Sequence, residues 1–162
     1  MPLNKLAALL VVAISLIVAM ILRILPIPHE YEVYNPDWVL LFLIYWNIAI
    51  PDRFGVGAAW LTGLITDTLT GRLLGQHALA YSVTAFLCIR LHRQLRVYPL
   101  YQQALSMLLF LSLSQLLIFW TQNIRGPSST DTSYWLPSLT GALVWPAIFV
   151  GLRRIRRSFN IF

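Results

Sequence analysis

The sequence predicts an all-α integral membrane protein, a compact bundle of six transmembrane helices with both ends of the chain on the cytoplasmic side. Three observations carry this expectation. The 162 residues are 58% hydrophobic, with a mean hydropathy of +0.69. Only 11% are charged, whereas a soluble domain carries about 25%. The basic residues, finally, fall mostly on one side of the implied membrane. A spanning helix needs ~20 mostly apolar residues, so six crossings leave little chain for anything else. Residues 1–162 are read as a single transmembrane domain.

The spans follow in order. The first covers residues 6–25. Its basic start and apolar run resemble a signal peptide, but the run is long, Arg23 closes it, and no small-x-small cleavage site precedes a soluble domain. It reads as an uncleaved anchor. The second covers 35–50. Asn35 suits the N-cap, Pro36 the first helical position, and Asp37 the first turn, where it complements the dipole. The third covers 54–70 and is separated from the second only by Pro51, Asp52 and Arg53. Both are short, and a tight hairpin of two full spans, helped by slight extension or bilayer thinning, is favoured over a re-entrant pair. The fourth covers 73–89, the fifth 100–121 and the sixth 135–152. Trp145-Pro146 predicts a kink in the sixth, which neighbouring helices tolerate. The loop 122–134 is polar, carries Gly126, Pro127, Ser128 and Ser129, and reads as flexible.

Orientation comes from the cations. With the N-terminus inside, the cytoplasmic side receives Lys5, Arg53, Arg90, Arg93, Arg96, Arg153, Arg154, Arg156 and Arg157. The far side receives Arg23, Arg72 and Arg125. Together these are the twelve Lys and Arg residues of the chain, nine against three, and the positive-inside rule selects this arrangement. Glu30, Glu32, Asp37 and Asp131 fall on the far side, as do Trp38, Trp120 and Trp135, which suit an interfacial aromatic belt. The sequence pI near 10.0 does not point to nucleic acid. The cations cluster beside span ends, at Arg90, Arg93 and Arg96 and at Arg153, Arg154, Arg156 and Arg157, where they set topology and meet anionic lipid headgroups.

Few residues suggest chemistry. Asp67 lies in Gly63-Leu-Ile-Thr-Asp67-Thr-Leu-Thr-Gly71. A carboxylate at mid-membrane costs roughly 2.5–3.5 kcal/mol on insertion scales, and a helix C-terminus disfavours it further. Arg72 and His77 are its candidate partners, with Thr66, Thr68 and Thr70 as local donors. A structural contact holding the third span to the fourth is weighed against a proton-linked or partner-binding carboxylate. Gly55, Ala59, Gly63, Asp67 and Gly71 recur every four residues and form one helical face that admits a close neighbour, either within this chain or in a second copy, as in a homodimer. Trp46 and Asn47 lie well inside the second span, and Asn47 requires a hydrogen-bond partner in a bundle interior. His77 opens the fourth span, and a hydrogen-bonding role outweighs a ligand role. His29 and His92 lie at opposite ends, and the single Cys88 is remote, so no metal site is expected. There is no phosphate-binding loop, nucleophile elbow or dinucleotide fingerprint. No catalytic residue and no cofactor are expected. Cys88 reads as a buried packing residue.

A series of short motifs then stands in order: Pro36-Asp37-Trp38-Val-Leu-Leu, Tyr45-Trp46, Pro51, Gly63-Leu-Ile-Thr-Asp67 with Gly71, Leu74-Gly75, His77-Ala-Leu-Ala, Tyr101-Gln102-Gln103-Ala-Leu, and Leu143-Val-Trp145-Pro146 before Arg153-Arg-Ile-Arg-Arg157. This series resembles the rod shape-determining MreD family over residues 35–157. Asn35 departs from it, since the family often has a basic residue there. The resemblance implies a non-enzymatic component of the bacterial inner membrane that supports cell elongation and peptidoglycan synthesis. It implies association with MreC and, indirectly, with MreB and the RodA–PBP2 synthase. It also implies a six-helix fold similar to the substrate-binding subunits of energy-coupling-factor transporters. The competing class is a small-molecule binding or transport subunit in which Asn47, Asp67 and His77 line a polar cavity. A lipid-modifying enzyme ranks third.

Overall fold

A computed structural model describes residues 2–52, 54–124, 126 and 131–159. Seven α-helices and one 3₁₀ turn follow in order: α1 Pro2–Ile24, α2 His29–Glu32, α3 Trp38–Ala49, α4 Val56–Leu69, α5 Gln76–Val97, α6 Leu100–Asn123, the 3₁₀ turn Thr132–Trp135 and α7 Leu136–Ser158. There is no strand among the described residues.

Three helical stretches are long and apolar enough to cross a membrane: Leu6–Ile24, Leu100–Asn123 and Thr132–Ser158. In α1, Ala8, Val12, Ser15, Leu16 and Ala19 are buried, while Leu9, Leu10, Ile14, Ile17 and Val18 are exposed. That is the one-faced burial of a helix period, except that the outer face is as apolar as the inner one. Such a face suits lipid.

The other helices divide differently. α3 has 12 residues, about 18 Å at the usual rise, well short of a ~30 Å hydrocarbon core. Its neighbours are α1, α5 and α7, and Val39, Leu40, Leu41, Leu43, Ile44 and Trp46 are wholly buried. A helix that is apolar on every side belongs in a core. The hydropathy of this segment therefore reflects protein on all sides. α4, at 14 residues, is also shorter than the span expected there. α5 has 22 residues but carries His77, Arg90, His92, Arg93 and Arg96.

Boundaries shift for identifiable reasons. α5 and α7 run on past residues 89 and 152, so the arginine clusters ride on their last turns. Hydropathy falls there, but helical hydrogen bonding does not, and cations suit a C-terminal turn. The start of α3 is corrected too. Asp37, rather than Asn35, is the N-cap and accepts from Leu40 N at 3.2 Å. Asn35 precedes a proline, which disfavours helical backbone, and its side chain instead accepts from Trp38 Nε1 at 2.8 Å. α7 continues through Pro146. Much of the loop expected to be flexible, at 125 and 127–130, lies outside the described residues, as does Arg53. After it, Asp131 accepts from Thr132 N and Ser133 Oγ and starts the 3₁₀ turn.

Contacts fix the two ends of the bundle. One end gathers the C-termini of α1, α4 and α6 with the N-termini of α3, α5 and α7. There Arg23 meets Asp37, Asp67 meets His77, and Gln115 meets Tyr134 and Ser138. At the opposite end Arg96 of α5 reaches the last carbonyls of α3.

Candidate functional site

The site is a buried network of charged groups built around the α4–α5 turn. α4 and α5 form the most extensive helix pair in the molecule. Gly63 makes this approach feasible. A Cβ there would lie 2.4 Å from Ala78 Cα and 2.5 Å from Ala78 N, so only glycine fits. The small-residue face therefore meets α5 of the same chain. It spans Ala59, Gly63 and Asp67, all buried. Gly55 and Gly71 have open space around them. Gly71 lies beyond the helix, at φ +62°, in a turn that Gly75 completes at φ +103°. These are left-handed conformations that glycine adopts without strain.

That turn brings Asp67 under the first turn of α5. Its Oδ1 accepts from His77 N at 2.9 Å and from His77 Nδ1 at 2.7 Å. Its Oδ2 accepts from Gly75 N at 2.8 Å and Ala78 N at 3.4 Å. The carboxylate thus lies at the C-terminal end of its own helix and serves as the N-terminal cap of the next. The unfavourable dipole of α4 is offset by the favourable one of α5, and three otherwise orphan N–H groups are satisfied.

Arg23 extends the network. Its Nη2 lies 3.1 Å from His77 Nε2. A guanidinium can only donate, so Nε2 accepts and the imidazole proton sits on Nδ1, pointing at Asp67. The ring in this arrangement is neutral and relays hydrogen bonds between an arginine and an aspartate. Arg23 Nη1 pairs with Asp37 Oδ1 at 3.0 Å. The Tyr81 hydroxyl reaches both Asp37 oxygens at 2.8 Å, and its ring lies edge-on to His77, 5.5 Å between centroids. Four helices, α1, α3, α4 and α5, are joined in this way. Asp67 and His77 have no exposed side-chain surface.

The structure brings together Asp37, Asp67 and His77 of the residues singled out in the sequence. Arg72 is exposed, and its side chain is not among the partners of Asp67. Thr66, Thr68 and Thr70 each donate to a carbonyl of their own helix instead. Trp46 and Trp145 are buried elsewhere. Trp46 Nε1 donates to Ser15 Oγ at 2.8 Å and Trp145 Nε1 to Gln103 Oε1 at 3.4 Å. Asn47 is fully buried, yet its amide has no hydrogen-bond partner among the described residues. Cys88 is buried and unpaired. Arg23 and Tyr81 were missed as site residues. An arginine closing a long apolar run is itself a signal for an intramembrane partner, and Tyr81 stands one helical turn after His77. Beside the network lies a cavity of about 670 Å³ whose lining includes Arg23, Asp37, Arg72, His77, Gln115 and Tyr134. No group of three His, Cys, Asp or Glu residues suited to a metal ion exists among the described residues.

Comparison with known proteins agrees with the motif series. The family model described as rod shape-determining protein MreD matches residues 4–155. The chain belongs to the MreD family. The rod shape-determining protein MreD of Haemophilus influenzae is 31% identical over 145 residues, covering 90% of each chain. No solved structure matches. Family membership and the three long apolar helices together make this a membrane protein with a role in cell shape. The match reaches back through α1 and therefore takes in Arg23 as well as Asp67 and His77.

Proposed function

We propose that the chain is a non-enzymatic scaffold of the inner membrane that binds MreC and, through it, supports peptidoglycan synthesis by RodA–PBP2 along the MreB-organised cylinder. It crosses the membrane six times, with both termini in the cytoplasm, and α3 and α4 do so as short helices in a locally thinned or protein-lined section. The nine-to-three division of basic residues supports this orientation. The observation that carries the scaffold reading is the engagement of Asp67. Asp67 accepts four hydrogen bonds from Gly75 and the first turn of α5, so the groups that would have to move protons in a transporter or enzyme are engaged in holding helices together.

The cavity beside the network favours a second reading, a small-molecule binding subunit, and one experiment separates the two. Asp67→Asn and Asp67→Leu are tested for recovery of MreC in mild detergent and for rescue of rod shape in a depletion strain. The scaffold reading expects partner recovery and rescue to fall together, more for Leu than for Asn. Full partner recovery without rescue in Asp67→Asn would overturn it in favour of a proton- or ligand-linked role. Orientation is tested by fusions after residue 162: a fluorescent protein should be bright there and alkaline phosphatase inactive.

A further inference from the structure

The end opposite the charge network holds a cleft of about 420 Å³ between the C-terminal turns of α3, α5 and α7. Arg96, Arg153, Arg156, Tyr45 and Phe149 line it. Three features set it apart from an ordinary basic surface. First, none of the three arginines forms an ion pair among the described residues. Second, two of them are positioned. Arg96 donates from Nε to Ile48 O and from Nη2 to Ala49 O, each at 2.8 Å, and Arg153 lies 6.0 Å from the centre of the Phe149 ring, within cation–π range. Third, Tyr45 is only 2% exposed, yet its hydroxyl has no hydrogen-bond partner among the described residues. A buried hydroxyl without a partner is unfavourable, and this one belongs to a side chain lining a cleft full of cations.

A hydroxyl donor with two guanidinium forks, those of Arg153 and Arg156, beside the committed Arg96 calls for a compact anion with several acceptor oxygens. Arginine forks match phosphate in this respect. The source follows from position. The floor is apolar, formed by Ile48, Ala49 and Phe149, and exposed Val97 and Ile155 stand at the same end, offering surface for acyl chains. Basic pockets between helix ends are a known setting for anionic headgroups. We propose that this cleft binds the phosphate of an anionic membrane phospholipid, with Arg153 and Arg156 supplying charge, Arg96 anchoring the wall, and the Tyr45 hydroxyl completing the phosphate shell. The proposal is independent of which protein partner the chain binds.

The test uses the full chain in detergent, titrated with phosphatidylglycerol or phosphatidylcholine and read by native mass spectrometry, with thermal unfolding of each variant alongside. The wild type should retain phosphatidylglycerol preferentially. Losing two charge-assisted contacts in Arg153→Gln/Arg156→Gln should weaken that retention about tenfold or more. Tyr45→Phe, which keeps the ring and its packing, should weaken it about fivefold. It decides the matter if the double variant does not fold. The same loss of charge in Arg90→Gln/Arg93→Gln, on α5 but outside the cleft, should preserve most of the preference. Equal retention of the two lipids, an equal effect of the Arg90/Arg93 pair, or no effect of Tyr45→Phe would overturn the proposal. Displacement of the lipid by millimolar inorganic phosphate would assign the cleft to a soluble anion and overturn the lipid source.

Discussion

The two ends of the bundle treat charge in opposite ways. At one end Arg23, Asp37 and Asp67 are all paired within the chain, through His77 and Tyr81. At the other, Arg153 and Arg156 have no carboxylate among the described residues. Charge at the first end fixes how helices sit against one another. Charge at the second is left for something outside the chain. A buried charge is tolerable only with partners, whereas an exposed one can wait for a ligand. The difference predicts which substitutions threaten the fold and which threaten binding.

The largest effect is expected at Gly63, where the network end depends on backbone contact. Gly63→Leu places atoms where Ala78 Cα stands and should destabilise the protein by about 3 kcal/mol or more. Gly57→Ala, with open space around it, should be neutral or slightly stabilising. An unchanged unfolding midpoint in Gly63→Leu would show that α4 and α5 are not apposed. Next comes Asp67→Leu, which leaves the donors of Gly75 and His77 without an acceptor at about 1–3 kcal/mol for each buried group. Asp67→Asn retains one acceptor oxygen and should lose roughly half as much. If the two variants melt alike, the hydrogen bonds contribute nothing beyond side-chain volume.

Arg23→Gln comes third, at about 2 kcal/mol, because it removes the cation paired with Asp37 and the bond to His77 Nε2. Its thermal midpoint, compared with that of Arg153→Gln, is the direct test of the contrast between the ends. Arg153→Gln should stay within about 0.5 kcal/mol of the wild type, as surface substitutions do. If both variants lose stability equally, the contrast fails. A loss between those of Arg23→Gln and Arg153→Gln should fall at the boundary case. Arg96 lies at the open end but caps α3, and Arg96→Gln should cost about 1 kcal/mol, measurable as earlier hydrogen exchange at the end of α3.

Sequence reasoning reached these regions unevenly, for physical reasons. The first, fifth and sixth spans are legible because long apolar runs leave no other structure. The Asp67–His77 pairing is legible because the partners are separated by one turn of chain. Arg72 was an equally near candidate, but it is exposed, whereas the turn through Gly71 and Gly75 brings His77 back to Asp67. Arg23 and Tyr81 were out of reach because each bonds to residues 14 to 54 positions away. The complete burial of α3 was not legible because hydropathy records dryness and cannot tell protein from lipid. The Tyr45 cleft was hidden for a related reason. The arginines signalled a headgroup surface, but an aromatic in an apolar helix gives no sign of an unpartnered hydroxyl.

Asp67 meets all its acceptor contacts within eleven residues of itself. During synthesis that distance is short. The carboxylate and the start of α5 leave the ribosome almost together, long before α6 and α7 exist. On the six-span reading proposed above, this buried carboxylate therefore never has to enter the bilayer unaccompanied: it arrives as half of a hairpin that already satisfies it, and the remaining helices assemble around a pair whose register is set.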